Sequence, residues 1–354
     1  MKDIGSIFPL YRDDLQLDLT TNNEKQNIIE YSLCREAMFA IAHKHSTSSK
    51  RVLLPAYTCQ TVIDPFVQQG WNCYFYNIQK DLRIDIEHLL SLTEEVHPAM
   101  VVVHPFYGME LDKDELEALY WIKKTGIILI EDITQCIYTE KRQDVFDYIT
   151  GSYRKWYKVP DGGFLEAKST EGLEVPFTEN TSFVSKQRDA MYLRGEYFLN
   201  CNEDIKAISI RLNKDAVSGI AGRISLHKMS EYSRRIKNNE SHELFYKQRL
   251  DNYQYLFQNL HQSESVTFVC EKLAKVTTAP LYFPLYVKNR TSLQKSLAEA
   301  HIYAPVLWPV STDEVLINDN IREIYSTILM IPIDQRYNEQ DMDKIIEIIN
   351  KYEA

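Results

Sequence analysis

The sequence is poor in several features that define whole classes of protein. Glycine and proline are scarce, with 11 and 12 among 354 residues, which excludes collagen-like and linker-rich architectures. The richest apolar stretches, such as 99–103 and 127–130, are far shorter than the roughly 20 residues that a membrane-spanning helix needs. The N-terminal segment MKDIGSIFPLYRDD has no apolar core before a small-residue cleavage site, so we expect no signal peptide.

Excess positive charge and metal-binding patterns are also lacking. The formal charge of −10 predicts neither general nucleic-acid binding nor binding to anionic membranes, and it leaves room for a local basic pocket. Six cysteines occur without a CxxC pair or metal-like spacing, so we expect reduced thiols in a cytoplasmic protein and no metal site. No GxGxxG follows a predicted strand, which argues against a nicotinamide-linked dehydrogenase.

What remains is ordinary globular composition, with 44% hydrophobic and 25% charged residues. In the first half, helical and strand-like patterns alternate, which favours βαβ units and a mostly parallel central sheet flanked by helices. The predicted helices are 27–43, 64–69, 86–92 and 112–124, and the predicted strands are 51–55, 73–78, 100–103 and 127–131.

The second half has a different pattern, beginning with long, polar-faced helices at 185–201 and 215–258. Strands at 281–287, 302–304 and 328–332 then alternate with helices at 291–301, 320–325 and 338–352. We therefore predict a large domain over residues 1–240 and a smaller C-terminal α+β domain over 241–354.

Polar segments follow three predicted strands, at Pro55–Gln60, His104–Gly108 and Asp132–Gln135. In open α/β sheets, ligands bind outside the carboxyl ends of the strands, so these segments should converge on one crevice. His104 needs no special role on sequence grounds, because histidine occurs nine times in the chain.

Two lysines, Lys155 and Lys158, lie near Ser152 and ahead of the pair Gly162-Gly163. An amine in a tight, desolvated turn can act as a Schiff-base nucleophile, although most lysines are solvated surface charges.

A carboxylate that follows a buried strand, as Asp132 does, is costly to keep ionised without a partner. Its partner could be a protonated pyridine nitrogen or simply an arginine or lysine, and Gln135 could reach the same ligand. Cys34 and Arg35 either lie within a helix or mark its start, where free backbone N–H groups and the guanidinium would bind an anion.

The order of these features resembles the DegT/StrS family of sugar aminotransferases, which are fold-type I enzymes that use pyridoxal 5′-phosphate. A strand ending in Asp132 is followed about 20 residues later by Ser-x-x-Lys and then by Lys-x6-Gly-Gly. Nearly the whole chain takes part in this resemblance, through segments that begin LLPAYTCQTV, VVVHPFYGME, IILIEDITQC, KWYKVPDGG, QRLDNYQYL and LMIPIDQRYNEQDMDKI.

The resemblance implies a role for each site residue. Lys155, seven residues ahead of Gly162, would be the Schiff-base lysine, and Asp132 would keep the pyridine nitrogen protonated. Gln135 would bind the ring's 3-oxygen. Ser152, or Thr150 given a shortened spacing, would hold the phosphate with the backbone around Cys34–Arg35. Cys59 stands at the ring-stacking position, which is often aromatic, with Tyr57 as the alternative.

The implied function is transfer of an amino group from glutamate or glutamine to a keto-sugar that is nucleotide-linked, by a cytoplasmic homodimer. The sequence departs from the family's pattern in two places that concern the substrate. The family's helix start S-G-T-x-A-L reads Leu33-Cys34-Arg35-Glu36-Ala37-Met38 here. The family's G-F-N-Y-R-M segment, which reaches the partner subunit's cofactor, has residues 210–213 as its nearest match. Another enzyme of the same cofactor (a lyase, dehydratase or desulfurase) and a non-catalytic binding module on this fold are the alternatives.

Overall fold

The computed structural model describes residues 3–16, 27–47, 49–139 and 143–353. Its strands are β1 (Ile28–Tyr31), β2 (Arg51–Pro55), β3 (Asn72–Tyr76), β4 (Met100–Val103), β5 (Ile128–Asp132), β6 (Tyr148–Ser152), β7 (Gly163–Ala167), β8 (Val266–Phe268), β9 (Tyr282–Val287) and β10 (Ile328–Pro332). Its helices are α1 (Cys34–Lys44), α2 (Gln60–Gln68), α3 (Ile86–Val96), α4 (Lys113–Lys124), α5 (Thr181–Asn200), α6 (Glu203–Gly219), α7 (Glu231–Asn239), α8 (His242–Asn259), α9 (Arg290–Glu299), α10 (Asp319–Thr327) and α11 (Glu339–Asn350).

A seven-stranded sheet in the order β1-β7-β6-β5-β4-β2-β3 forms the centre of the fold. Strands β3, β2, β4, β5 and β6 pair in parallel, whereas β7 is antiparallel to both β6 and β1. The interior strands β2 and β4 consist almost wholly of buried apolar residues, as expected where helices cover both faces of a parallel sheet. The predicted α/β fold class with a mostly parallel sheet is therefore confirmed.

A second, antiparallel sheet in the order β10-β9-β8 carries the C-terminal residues, with α8 and α9 packed on β9. Helix α11 packs against α8, with Met342, Ile345 and Ile349 buried. Helix α8 begins at His242, where the Ser241 side chain accepts a hydrogen bond from the Leu244 N–H. The division at residue 240 stays a prediction.

The predicted helix at 27–43 is wrong over its first residues. Residues 28–31 form β1, in which Ile29 and Tyr31 are buried while Ile28 and Glu30 are partly exposed. This alternation is the period of a strand, and β1 pairs with residues 163–166 of β7. A short apolar run fits the period of a helix as well as that of a strand. Pairing with the distant strand β7 determines that residues 28–31 form a strand.

Two further predictions, a long helix and a short strand, are also wrong. The predicted helix at 215–258 is three separate helices, α6, α7 and α8, and Gly222 between the first two adopts a positive φ of 96°. The predicted strand at 302–304 is only an isolated bridge between Ile4 and Ile302. Strands β6 and β7 were not predicted. Within the described residues, no helix combines the length and apolarity needed to cross a membrane.

Candidate active site

Polar side chains line up across the carboxyl ends of adjacent strands β2, β4 and β5. Thr58 Oγ1 lies 3.0 Å from His104 Nε2, and His104 Nδ1 lies 3.6 Å from Asp132 Oδ2. The other carboxylate oxygen, Asp132 Oδ1, accepts a hydrogen bond of 3.0 Å from the Thr134 N–H. The three polar segments that were expected to converge at the ends of these strands do meet, and Asp132 is the last residue of β5.

His104 and Asp132 form a buried polar pair with a defined orientation. Both are less than a tenth exposed. Burial lowers the pKa of His104; the charge of Asp132 opposes this shift, and the charge of Lys155 adds to it. A largely neutral imidazole between a hydroxyl and a carboxylate fixes the carboxylate's direction without cancelling its charge. The Asp132 carboxylate is therefore held in one orientation, between His104 and the Thr134 N–H.

Lys155 is the amine available to this cluster. It ends a short 3₁₀ turn, Tyr153–Lys155, directly after β6, and its charge lowers the pKa of both His104 and Cys34. Among the described residues, its amine forms no ion pair or hydrogen bond.

Lys158 is committed elsewhere, with its Nζ 2.6 Å from Asp14 Oδ1 and 3.4 Å from Glu240 Oε1. Burial acts to lower the pKa of Lys158, but these two carboxylates raise it overall. Among the described residues, the Lys155 amine is thus unpaired, whereas the Lys158 amine is paired with two carboxylates.

Helix α1 begins at Cys34, beside the same cluster. Its N-cap residue, Leu33, supplies no side-chain hydrogen bond, which leaves first-turn N–H groups free for an anion. Cys34 Sγ lies 3.7 Å from Thr134 Oγ1, and burial together with the charge of Asp132 raises the pKa of this thiol. Cys34 lies at the start of the helix, which resolves the alternative left open by the sequence.

The helix start is held against β7 by a contact that only glycine allows. A Cβ atom on Gly163 would lie 2.3 Å from the Cys34 backbone nitrogen and 2.4 Å from the Leu33 carbonyl carbon. The preceding Gly162 has φ of 137° and donates its N–H to the Ser32 carbonyl at 2.7 Å. The pair Gly162-Gly163 therefore serves the approach of α1, not a phosphate loop.

The two hydroxyls considered for phosphate binding lie in different surroundings. Thr150 is fully buried and pairs in register with Asp132, and its hydroxyl donates to Met38 Sδ of α1 at 4.0 Å. Ser152 is also buried, but its hydroxyl donates to the Gly162 carbonyl at 3.5 Å. The contacts favour Thr150 over Ser152 as the residue next to the helix start.

The hydrogen bonds of Arg35 and Cys59 go to residues other than Asp132 and His104. The Arg35 guanidinium donates to the Ile220 carbonyl after α6, while its Nε is buried without a partner. Cys59 is the N-cap of α2, and its Sγ accepts the Thr61 hydroxyl at 3.0 Å. Its neighbour Thr58 supplies the contact to the cluster.

Buried polar atoms near Gln135 lack partners. Both side-chain amide atoms of Gln135 and the hydroxyls of Tyr57 and Tyr107 are buried and make no hydrogen bond among the described residues. Tyr57 packs on Trp308 and Tyr325 with ring centroids 5.1 Å away in each case. Burial raises the pKa of Tyr107, whereas the neighbouring Tyr57 hydroxyl and Gln135 amide oppose this shift, so the three side chains form one buried polar cluster.

Several residues of the site were predicted only as members of the converging segments 55–60, 104–108 and 132–135. Thr58, Thr134 and Tyr107 were not singled out, and His104 was set aside as one histidine among nine. The position of these four residues in the sequence is what could have identified them, because all four follow directly or closely after the carboxyl ends of strands β2, β4 and β5.

A cavity of about 320 Å³ borders Lys155. Its wall combines the N-terminal segment 5–8, side chains of α5 and α6, Arg249 of α8, and C-terminal residues such as Asp334 and Arg336. Lys155 therefore lines a cavity that can admit a small molecule, and its charge also acts on His104 of the Asp132 cluster.

Comparison with known proteins gives structural matches alone. No protein-family model matches the chain, and no curated protein matches it in sequence. Among solved structures, the aminotransferase PseC of Helicobacter pylori, involved in pseudoaminic acid biosynthesis, is 12% identical with a TM-score of 0.65 over 99% of each chain. The putative sugar aminotransferase Spr1654 of Streptococcus pneumoniae, in its PMP form, is 14% identical with a TM-score of 0.64 over 99% of this chain and 97% of that one.

The sugar aminotransferase CalS13 of Micromonospora echinospora is similar as well, at 14% identity and a TM-score of 0.64 over 92% of this chain and 87% of its own. Likeness at such low identity establishes the fold. The chain therefore has the fold of these aminotransferases, as the resemblance in sequence implied.

Proposed function

We propose that the protein is a pyridoxal 5′-phosphate-dependent aminotransferase that transfers an amino group to a nucleotide-linked keto-sugar, with glutamate or glutamine as donor. The observation that carries this proposal is the free amine of Lys155 beside the buried Asp132–His104 pair, at the carboxyl end of a parallel sheet. A binding module has little use for this combination, because a buried carboxylate such as Asp132 is costly to keep.

The residues present fit this cofactor. Lys155 Nζ would bind its aldehyde carbon covalently, and Asp132 would face its protonated ring nitrogen. The unpartnered Gln135 amide would meet the ring's 3-oxygen. The free N–H groups at the start of α1, with Thr150, would hold the phosphate. When bound, the cofactor supplies the electron sink for a carbanion at the amino acid's α-carbon.

Each of the chain's own residues at the site then has a separate role. Lys155 Nζ would be the base that accepts the proton from the donor's α-carbon. The Asp132 carboxylate, oriented by His104 and Thr134, keeps a proton on the ring nitrogen. His104 is a positioning residue, held in turn by Thr58.

The structural neighbours support the reaction class, because those compared above are described as aminotransferases, two of them of sugars, and one is in a PMP form. A homodimer is part of the proposal. Its support is a set of exposed apolar side chains, with Phe177 88%, Leu199 67% and Ile210 51% exposed, which a second copy would cover. A cytoplasmic location is proposed from six cysteines that are all free.

The test is loading of the purified protein with pyridoxal phosphate, followed by absorbance spectroscopy. We expect a visible band that Lys155→Ala abolishes and that Lys158→Ala, the matched control, preserves. Glutamate or glutamine should convert the band in the absence of any acceptor, which distinguishes an aminotransferase from a lyase. A wild-type protein that cannot be loaded would overturn the proposal.

A further inference from the structure

The turn that carries Lys155 is held in place by the residue after it, Trp156. This tryptophan is fully buried, and its backbone N–H donates to the Tyr153 carbonyl at 2.9 Å, which closes the 3₁₀ turn. Its indole Nε1–H donates to the Thr134 carbonyl at 2.8 Å. A buried indole N–H needs an acceptor, and here the acceptor belongs to the loop after β5.

Thr134 continues this connection to Asp132. Its carbonyl receives the Trp156 indole, and its own N–H donates to Asp132 Oδ1 at 3.0 Å. All three residues are buried, so both hydrogen bonds lie where water does not compete for them. Two short hydrogen bonds through one residue therefore join the neighbour of Lys155 to the carboxylate at the end of β5.

Two residues from the C-terminal part of the chain hold Trp156 from the other side. The guanidinium carbon of Arg249, a fully buried residue of α8, lies 4.4 Å from the centroid of the indole ring. Gln335 donates its Nε2–H to the Trp156 carbonyl at 2.7 Å, and its Oε1 accepts the Arg249 Nε–H at 2.8 Å. A guanidinium over an indole binds most strongly when both are desolvated, so Arg249 and Gln335 together fix the side chain and the backbone of Trp156.

We propose that Trp156 is a positioning residue, which keeps the Lys155 amine at a fixed separation from the Asp132 carboxylate. This inference rests on the proposed function and deepens it. The aldehyde carbon and the ring nitrogen of pyridoxal phosphate stand at opposite ends of one rigid ring. An amine and a carboxylate that serve these two ends must therefore stay at a constant spacing, and a displacement of about 1 Å can cost about 100-fold in rate.

The test replaces Trp156 with phenylalanine, which removes the indole N–H and retains an aromatic ring for Arg249. Trp71→Phe is the matched control, because Trp71 is also buried and donates its indole N–H to a backbone carbonyl, that of Ala42, at 3.2 Å. Trp71 precedes the amino end of β3, and the site lies at the carboxyl ends of the strands parallel to it. Each variant loses one buried hydrogen bond, so we expect similar shifts of the urea denaturation midpoint.

Two readouts separate positioning from stability. The visible circular dichroism of bound pyridoxal phosphate reports how rigidly the ring is oriented, and Trp156→Phe should lose most of this signal while Trp71→Phe retains it. In single-turnover conversion of the cofactor band by glutamate or glutamine, Trp156→Phe should lower the rate constant at saturation by about 10- to 100-fold and change the half-saturating concentration by less than about threefold. Gln335→Met, which removes the donor to the Trp156 carbonyl, should change both readouts in the same direction, and it carries the test if Trp156→Phe does not fold.

The outcomes separate this inference from the proposed function. A wild-type protein that binds pyridoxal phosphate, with variants at Trp156 and Gln335 that match it in dichroism and rate constant, overturns the positioning role and leaves the proposed function standing. A loss of stability in Trp156→Phe with unchanged dichroism and rate constant also overturns it, because Trp156 then acts only on the fold. A wild-type protein that does not bind pyridoxal phosphate overturns the proposed function, and the positioning role with it.

Discussion

Replacing Gly163 with alanine should damage both the stability of the fold and the cofactor site. The added Cβ would lie 2.3 Å from the Cys34 nitrogen, 2.4 Å from the Leu33 carbonyl carbon and 2.7 Å from the Cys34 Cα. All three are backbone atoms, so no flexible side chain can turn away. Restoring an ordinary contact of 3.4 Å requires the start of α1 to move by about 1.1 Å, the difference from 2.3 Å.

We expect this overpacking to cost about 1–3 kcal/mol of unfolding free energy, measured by urea denaturation. Because the same movement displaces the free N–H groups of α1, pyridoxal phosphate should also bind about 10-fold more weakly in a fluorescence titration. Gly219→Ala is the matched control, since nothing lies within 4 Å of the Cβ added there.

Equal stability and equal cofactor affinity for Gly163→Ala and Gly219→Ala would refute this reasoning. The tight contact between β7 and α1 would then carry no energetic consequence. A loss of stability without a loss of cofactor affinity would refute only the link between the start of α1 and the phosphate.

Two further predictions concern charge. Asp3→Asn should lower the unfolding free energy by about 3–5 kcal/mol in urea, because Asp3 is buried 3.2 Å from Arg194 and 3.1 Å from Lys206. Arg194 would lose its counter-ion and Lys206 would keep only Glu203 at 3.9 Å; unchanged stability would contradict this. The Glu36 side chain raises the pKa of His227 above the ordinary value of 6.5. The pair therefore stabilises the folded state fully at a pH below 6.5, and this stabilisation is lost as the pH rises through the raised pKa. His227→Gln should therefore destabilise more at about pH 5.5 than at about pH 9 in thermal unfolding, and an equal loss at both would refute the assignment.

The sequence predicted the central part of the fold because local patterns and tertiary structure agree there. The apolar runs 100–103 and 127–131 correspond to β4 and β5, and the position of Asp132 at a strand end follows from its place after buried residues. The place where the three polar segments meet could then be located by a general property of parallel sheets.

The remaining features depend on contacts between distant residues. Residues 28–31 form a strand because β7 pairs with them, and nothing in their own sequence distinguishes this from a helix start. His104 gains its role from Asp132 and Thr58, which come from two other strands. The Nη2 of Arg249, which is buried without a partner, can be identified only after the neighbours of this side chain around Trp156 are known.

The most direct test of the central claim is to identify which lysine carries the cofactor. The protein is loaded with pyridoxal phosphate, its bond to the protein is reduced with borohydride, and the peptides are mapped by mass spectrometry. We predict the pyridoxyl phosphate adduct on Lys155, whose amine is free, and none on Lys158, which Asp14 and Glu240 hold. An adduct on Lys158, or on no single lysine, would contradict the account.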